Sequence, residues 1–263
     1  MNLLQRALIE KAGHDNGFEH VLPASTPAIV ALGSARHRAE LNVQAANGGF
    51  VCTLARCQLS LPAELARSFP DSVHGETLGH SFLLPTEAAL ARWLRRSAAL
   101  AQALPDHAVT LFEAHVQKAL AALEPAAAMS TEVQRVVRQR VGQQAFRQAM
   151  LDYWGGACAV TGVALPQALR ASHAKAWALC GTDAERLDVY NGFLLSANLD
   201  ALFDSYLASF DTDGFLVVSH AVSDDMQVQL GISPGLALRW IDDRHHPYLA
   251  FHRSKCGWLS SAD

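Results

Sequence analysis

No CxxC pair occurs in this 263-residue chain, and its five cysteines, at 52, 57, 158, 180 and 256, are odd in number and scattered. That pattern excludes a disulfide framework and a cysteine-rich zinc site, and it fits a reducing, cytoplasmic setting. Also missing is any apolar run near the roughly 18 residues that a bilayer crossing needs, so no membrane partner is expected. The opening stretch, MNLLQRALIEKAGHDNG, lacks a long apolar core and a small-residue cleavage site, and it reads as a helix rather than a signal peptide. There is no internal repeat and no low-complexity tract. Nor is there a surplus of positive charge: the net value is −4, which argues against a protein that coats nucleic acid.

What is present is a chain with half its residues apolar and 17% charged, enough for one large packed domain or two ordinary ones. Its charge is unevenly placed. Between residues 131 and 180 six basic residues (Arg135, Arg138, Arg140, Arg147, Arg170, Lys175) stand against Glu132 and Asp152, which makes that window +4 and the remainder −8. A basic segment in an acidic chain points to a phosphate-bearing partner.

Along the chain, a helix is expected over residues 3–11, with Gly13 as its stop. AIVAL, RAELNVQA and FVCTLA read as strands, the last two joined at NGG, a hairpin signal because Asn and Gly tolerate positive φ. Pro62 and Pro70 punctuate the stretch after them. Ala and Leu at helical spacing predict an αα-hairpin over 86–104 and 107–123. The expected fold class is therefore α+β, with a mixed N-terminal domain over 1–124, a linker at 125–130 and a second domain over 131–263. The second domain opens with a long helix ended by GG, with Val133, Val137, Val141 and Ala145 on its apolar stripe and Arg135, Arg138 and Arg147 largely off it. Short strands are expected at 157–160, 169–173 and 192–195, then a helix from near Ser196, a hairpin turning at TDG, and tail strands at MQVQL and ALRWI.

The chemistry gathers between Cys158 and Asp204. A strand ending at His173 is followed by Asn191, a second strand, and a helix carrying Asp200 and Asp204 four residues apart, hence on one side. Two carboxylates on one helical face suit a hard divalent cation, although each could equally be exposed or serve the helix start. With one histidine offered beside them, the set has the plan of a metal-dependent phosphodiesterase, in which a neutral imidazole takes a proton from water. Arg170 and Lys175 flank the histidine and are placed to hold phosphate oxygens, or else to pair with Asp183 and Glu185. Arg147 and Arg138 belong to the same nucleic-acid-binding candidates, with a solvated helix face as the other reading of Arg147. Trp177 and Phe203 read as core. Asp242, Asp243, His245 and His246 look like a metal cluster by composition, and a surface loop is the expectation there.

CAVTG (158–162), LRASHAKAW (169–177) and ERLDVYNGFLLSANLDALFDSYLASFDTDG (185–214) together resemble the HNH endonuclease family, in a branch without the zinc-binding cysteines. The resemblance covers about residues 141–219 and says nothing of 1–124. It implies a ββα-metal unit in which a hairpin and a helix grip one divalent ion, magnesium with manganese as a substitute. It implies His173 as general base, Asn191 in the supporting role of the family's central asparagine, and Asp200 and Asp204 as metal ligands. Many relatives carry two CxxC pairs where this chain has Cys158 with Thr161 and Ser196 with Leu199, so no structural zinc is expected and Leu194, Leu195, Leu199, Leu202 and Phe203 must hold the unit by packing. Many relatives also place a metal ligand where Ser172 stands, which makes Ser172 a weak ligand at best. The implied activity is DNA cleavage in restriction or antiphage defence, with DNA as partner and a homodimer or defence-complex subunits as further partners. Two other readings stand beside it: a DNA-binding or regulatory module on a nuclease-derived scaffold, and a nicking subunit active only within a complex.

Overall fold

The computed structural model describes residues 1–75, 80–124 and 129–258 and divides the chain into two compact units, Met1–His107 and Ala108–Asp263. The division falls ahead of the linker predicted at 125–130, of which residues 125–128 lie outside the described part. The fold is α+β.

In the N-terminal unit, α1 (Leu3–Asp15) precedes an antiparallel meander of β1 (His20–Leu22), β2 (Val30–Gly33), β3 (Glu40–Ala46), β4 (Gly49–Arg56) and, after α2 (Leu61–Ser68), β5 (Ser81–Leu84). The strands lie in sequence order and α3 (Glu87–Ala103) packs across β4 and β5. Leu41, Val43, Cys52, Leu54, Phe82 and Leu84 alternate with more exposed neighbours and bury one face of the sheet. That face meets Ile9, Trp93 and Leu94, all fully buried, as a half-solvated sheet requires. Gly13 does not stop α1. It lies inside the helix at a close approach to Leu32, where a Cβ would stand 2.9 Å from side-chain carbons, and the helix ends later, at Asn16 and a left-handed Gly17 (φ +96°). β1, α2 and β5 escape a reading by periodicity, since two of them have only three or four residues and α2 carries Pro62 in its first turn.

The NGG hairpin forms as predicted, with Ala46 paired to Gly49. Gly49 is doubly constrained: its φ is +141°, and a Cβ would fall 2.1 Å from the Leu84 carbonyl oxygen of the neighbouring strand.

The second unit takes in most of α4 (Pro105–Ala121) and opens its core with the long α5 (Thr131–Tyr153), capped by the Ser130 hydroxyl and ended by Gly155 and Gly156 at positive φ. The buried stripe of α5 is Gly142, Phe146, Ala149, Met150 and Tyr153, whereas Val133, Val137, Val141 and Ala145 are only half-buried. The predicted stripe is thus displaced, because the second half of α5 carries the packing, against β6 (Leu169–His173) and β7 (Gly192–Ser196). These two strands pair antiparallel from Leu169↔Ser196 to His173↔Gly192, with α6 (Asp183–Leu187) in the long connection and α7 (Ala197–Asp204) following at once. Leu194, Leu195, Leu199, Leu202 and Phe203 are all buried behind that hairpin.

β8 (Ala208–Phe210) and β9 (Leu216–Val218) form the hairpin that turns at TDG. Three strand expectations fail. Residues 157–160 are a turn. MQVQL lies largely in α8 (Asp224–Gln229), whose start is capped by the Ser223 hydroxyl and favoured by two aspartates in its first turn. ALRWI contributes only the bridge Phe215↔Ala237. The chain closes with α9 (His246–Lys255). His245 is no surface residue: it is fully buried, stacked on Phe193 at 5.4 Å among Tyr190, Tyr153 and Trp154. Among the described residues, no helix is long and apolar enough to cross a membrane.

Gly49→Ala is expected to cost about 2 kcal/mol through strained backbone and the clash with Leu84. Urea denaturation should show a lowered midpoint for the variant, and an unchanged midpoint would contradict this account of the turn.

Candidate functional site

His173 ends β6 and pairs with Gly192 at the start of β7. Only glycine fits opposite it, because a Cβ at 192 would stand 2.1 Å from the Ser172 carbonyl oxygen and 2.9 Å from Phe146 Cζ. Phe146, from α5, therefore reaches the imidazole and stacks beneath it at 3.7 Å and 17°. The His173 Nε2 lies 2.9 Å from the Arg186 carbonyl oxygen. A carbonyl can only accept, so Nε2 carries the hydrogen and the neutral ring keeps its lone pair on Nδ1. Burial pushes the pKa of His173 below the ordinary imidazole value, against the Arg186 carbonyl and the Asp204 charge, which pull it up. A neutral imidazole at neutral pH is the form that accepts a proton.

Asn191 is fully buried beneath the site and faces the loop that leaves His173, not the groove. Its Oδ1 accepts from Lys175 N at 2.8 Å, while its Nδ2 donates to the Glu185 and Lys175 carbonyls at 3.0 and 3.2 Å. Arg186 braces the same loop from the other end. Its guanidinium donates to the Trp177 carbonyl (3.2 Å), the Cys180 carbonyl (2.6 Å) and Asp183 (3.0 Å), and it lies against the Trp177 ring. The carbonyl that orients His173 thus belongs to a residue whose own side chain is tied down three times. Arg186 was not a candidate in the sequence, because what it offers the histidine is a backbone atom, and no residue-type pattern reports that.

Asp200 and Asp204 stand one turn apart on α7 and line a groove of about 420 Å³ together with His173 and Ser172. Ser172 is buried and its hydroxyl donates to Asp200 Oδ1, so it orients that carboxylate. Among the described residues no three His, Cys, Asp or Glu converge into a metal cage. The donor set is instead two carboxylates and a hydroxyl on one wall. Such oxygen donors fit a cation that keeps most of its water, as magnesium does, and do not fit one that demands an all-protein shell.

Arg147 and Arg170 line the same groove. Arg147 donates to the Leu169 and Pro166 carbonyls at 2.8 and 2.9 Å, and Arg170 to those of Gln167 and Leu169 at 2.9 and 3.0 Å. Lys175 and Arg138 are placed otherwise. Lys175 pairs with Glu185 at 2.5 Å beside Phe251, and Arg138 pairs with both Glu113 and Asp183 and lines a different cleft. Trp177, read as core, is half-buried and forms part of the groove wall, while Phe203 is core as expected. Gln143 and Phe146 complete the additions that the sequence reading lacked; a glutamine on a polar helix face and one phenylalanine among eleven carry no distinguishing signal.

The turn after α5 is held without a second cysteine near it in sequence. Cys158 Sγ accepts the N–H groups of Thr161 and Ser196 at 3.4 and 3.3 Å. Arg239 clamps the turn from outside, its guanidinium donating to the Trp154 and Ala157 carbonyls at 2.8 and 2.9 Å and its backbone N–H to Ala159 at 2.7 Å. On the other side, His252 supports α7. Its ring stacks on Phe203 at 3.8 Å, its Nε2 donates to the Phe203 carbonyl at 3.0 Å, and Nδ1 accepts from the Ser209 hydroxyl at 2.9 Å.

Compared with known families, residues 158–211 match the HNH endonuclease family model. That segment contains His173, Asn191, Asp200 and Asp204, so the likeness to HNH endonucleases falls on the part of the second unit that builds the candidate site. No curated protein matches the sequence.

Burial lowers the pKa of His252 to about 4. Its unfolded value is about 6.5, so folding gains from the neutral ring in full above that pH and loses the gain as pH falls toward the folded value, roughly 3 kcal/mol in all. Acid denaturation of His252→Gln, monitored by circular dichroism, should therefore show a shallower loss of stability between about pH 6.5 and 4 than the wild type shows. Parallel curves would mean that His252 is not buried in its neutral form.

Proposed function

We propose that this protein is a metal-dependent HNH endonuclease that hydrolyses DNA phosphodiester bonds, and that it serves restriction or antiphage defence. The observation that carries the reading is a single groove holding a histidine with Nδ1 left to accept a proton and two carboxylates one helical turn apart. The match of residues 158–211, which bring His173, Asp200 and Asp204 to the groove, to the HNH endonuclease family model supports it.

In this reading His173 Nδ1 takes the proton of a water whose oxygen attacks phosphorus. The bond from phosphorus to the 3′ oxygen breaks and that oxygen takes a proton from solvent water, leaving a 5′-phosphate and a 3′-hydroxyl. Asp200 and Asp204 would hold a divalent cation, magnesium or manganese, which would supply charge neutralisation at the phosphate and the leaving oxygen. Ser172 keeps Asp200 turned toward the groove. Phe146 and the Arg186 carbonyl keep the imidazole plane and tautomer fixed, and Asn191 keeps that carbonyl's loop in place. Arg147 and Arg170 bind phosphate oxygens. The N-terminal unit selects the target, by sequence, modification or partner, and double-strand cleavage by such a one-ion site calls for a homodimer or a second subunit.

The expected outcome for His173→Ala is a loss of about a hundredfold to ten-thousandfold in plasmid cleavage with magnesium, in line with removal of a general base. The wild type with chelator should be inactive and regain activity with magnesium or manganese. A well-folded His173→Ala that cuts at the wild-type rate rules out the assignment of the base; wild-type cleavage untouched by chelator rules out the cation.

A further inference from the structure

The donors on α5 extend beyond the groove that holds His173. Gln143, Phe146 and Arg147 line that groove, while Arg135, Arg138 and Gln139 line a second cleft of about 460 Å³ nearer the start of the helix. Trp177 lines both, so the two hollows adjoin across its indole. The indole can lie there because α5 has glycine at 142: a Cβ at that position would fall 2.0 Å from Trp177 Cη2.

Positions 135, 139, 143 and 147 are each four apart, so their side chains descend one face of the helix. At 1.5 Å per residue they span about 18 Å. One DNA strand rises about 3.4 Å per nucleotide, so the stripe matches roughly five nucleotides. Its members are available to a ligand. Gln139 and Gln143 are exposed. Arg135 pairs with Glu132 at the open surface, an arrangement worth little that a phosphate displaces readily. Arg147 spends its bonds on neutral carbonyls and keeps its charge. By contrast Arg138 and Arg186 are held by Asp183, and Arg138 also by Glu113; they frame the second cleft and are not counted as donors.

We propose that Arg135, Gln139, Gln143 and Arg147 form a rail that carries the DNA strand away from the scissile phosphate, with Trp177 as a platform for an unstacked base between the two hollows. The proposal deepens the nuclease reading and rests on it. Two arginines with two neutral amides grip phosphate oxygens without reading base edges, and an aromatic face accepts any base. The rail makes substrate length on one side of the cut a determinant of KM rather than of the chemical step.

The test compares two magnesium-supported substrates with the same central site, one extending well past about five nucleotides on each side and one trimmed short of that. Gln139→Glu, placing a negative charge on the rail, is expected to raise KM for the long substrate several-fold and for the short one much less, with kcat moving little. Gln144→Glu adds the same charge on the side of α5 that faces α4, where it lines a cleft with His115 and Lys118, and should track the wild type on both. An unaltered KM for Gln139→Glu on the long substrate, an equal rise on both substrates, or an equal effect of Gln144→Glu overturns the rail. Wild-type protein that cuts neither substrate would instead overturn the nuclease reading, and the rail with it.

Discussion

The hydrogen bond from His173 Nε2 to the Arg186 carbonyl decides which nitrogen of the imidazole faces the groove, and much of the second unit serves to keep that carbonyl where it is. Arg186 lies within the connection of residues 174–191 that joins β6 to β7, and such a connection would wander if left to itself. Asn191 ties its first residues to its last through backbone groups on both sides, and the Arg186 guanidinium ties its middle. Each of these bonds is buried or half-buried, so removing one partner strands the other without water, and the loop gains its order from that cost. The imidazole plane is then set independently by Phe146, which can approach only because position 192 has no side chain. Tautomer and ring orientation are thus held by two unrelated parts of the chain.

The turn at Cys158 solves a different problem. This region has Cys158 and Thr161 at the spacing of a CxxC pair but only one sulfur, so no paired thiolates cross-link it. The Cys158 sulfur gathers two backbone N–H groups, and Arg239 arrives from about eighty residues downstream to bind three carbonyls of the same turn. A guanidinium with a rigid fork of donors suits this task better than a lysine would. Its stacking on Trp240 and closeness to Trp154 connect the clamp to the aromatic cluster around His245. That cluster explains why one member of a composition resembling a metal site belongs to the core: His245 is spent on packing and on capping its own short helix, while Asp243 stays exposed.

Where local signals agree, the sequence alone is a sound guide. β6, β7 and α7 lie where two short strand-like runs and a helix start near Ser196 put them, and the positions of His173, Asp200 and Asp204 follow. It misleads where two local signals compete. MQVQL alternates like a strand, yet Ser223 and two aspartates ahead of it make a helix start, and the segment is too short for packing to reverse that. The valine stripe of α5 has the right period and lies on the wrong side, because the face that matters is set by what β6 and β7 offer, a tertiary fact. The parts that Trp177, read as core, and Arg186 play escape the sequence for a related reason. One acts as a wall by fitting over Gly142, and the other acts through a backbone carbonyl, and neither property is written in residue type.

Charge counting is the least dependable guide of all, because partners decide what a charge is worth. The six basic residues of the 131–180 window are not equivalent once their partners are known. Lys175 and Arg138 meet carboxylates and are neutralised where they stand, whereas Arg147 and Arg170 donate to carbonyl oxygens and carry full positive charge to the groove. Those two arginines balance Asp200 and Asp204 across the same hollow. On the proposed reading, a divalent cation held by the aspartates turns that balance into a local surplus of two positive charges, confined to the place where a phosphodiester must sit. An overall acidic chain can then bind a polyanion at one site while its remaining surface repels it, and the position of the cut is chosen by the groove and by the reach of α5 rather than by net charge.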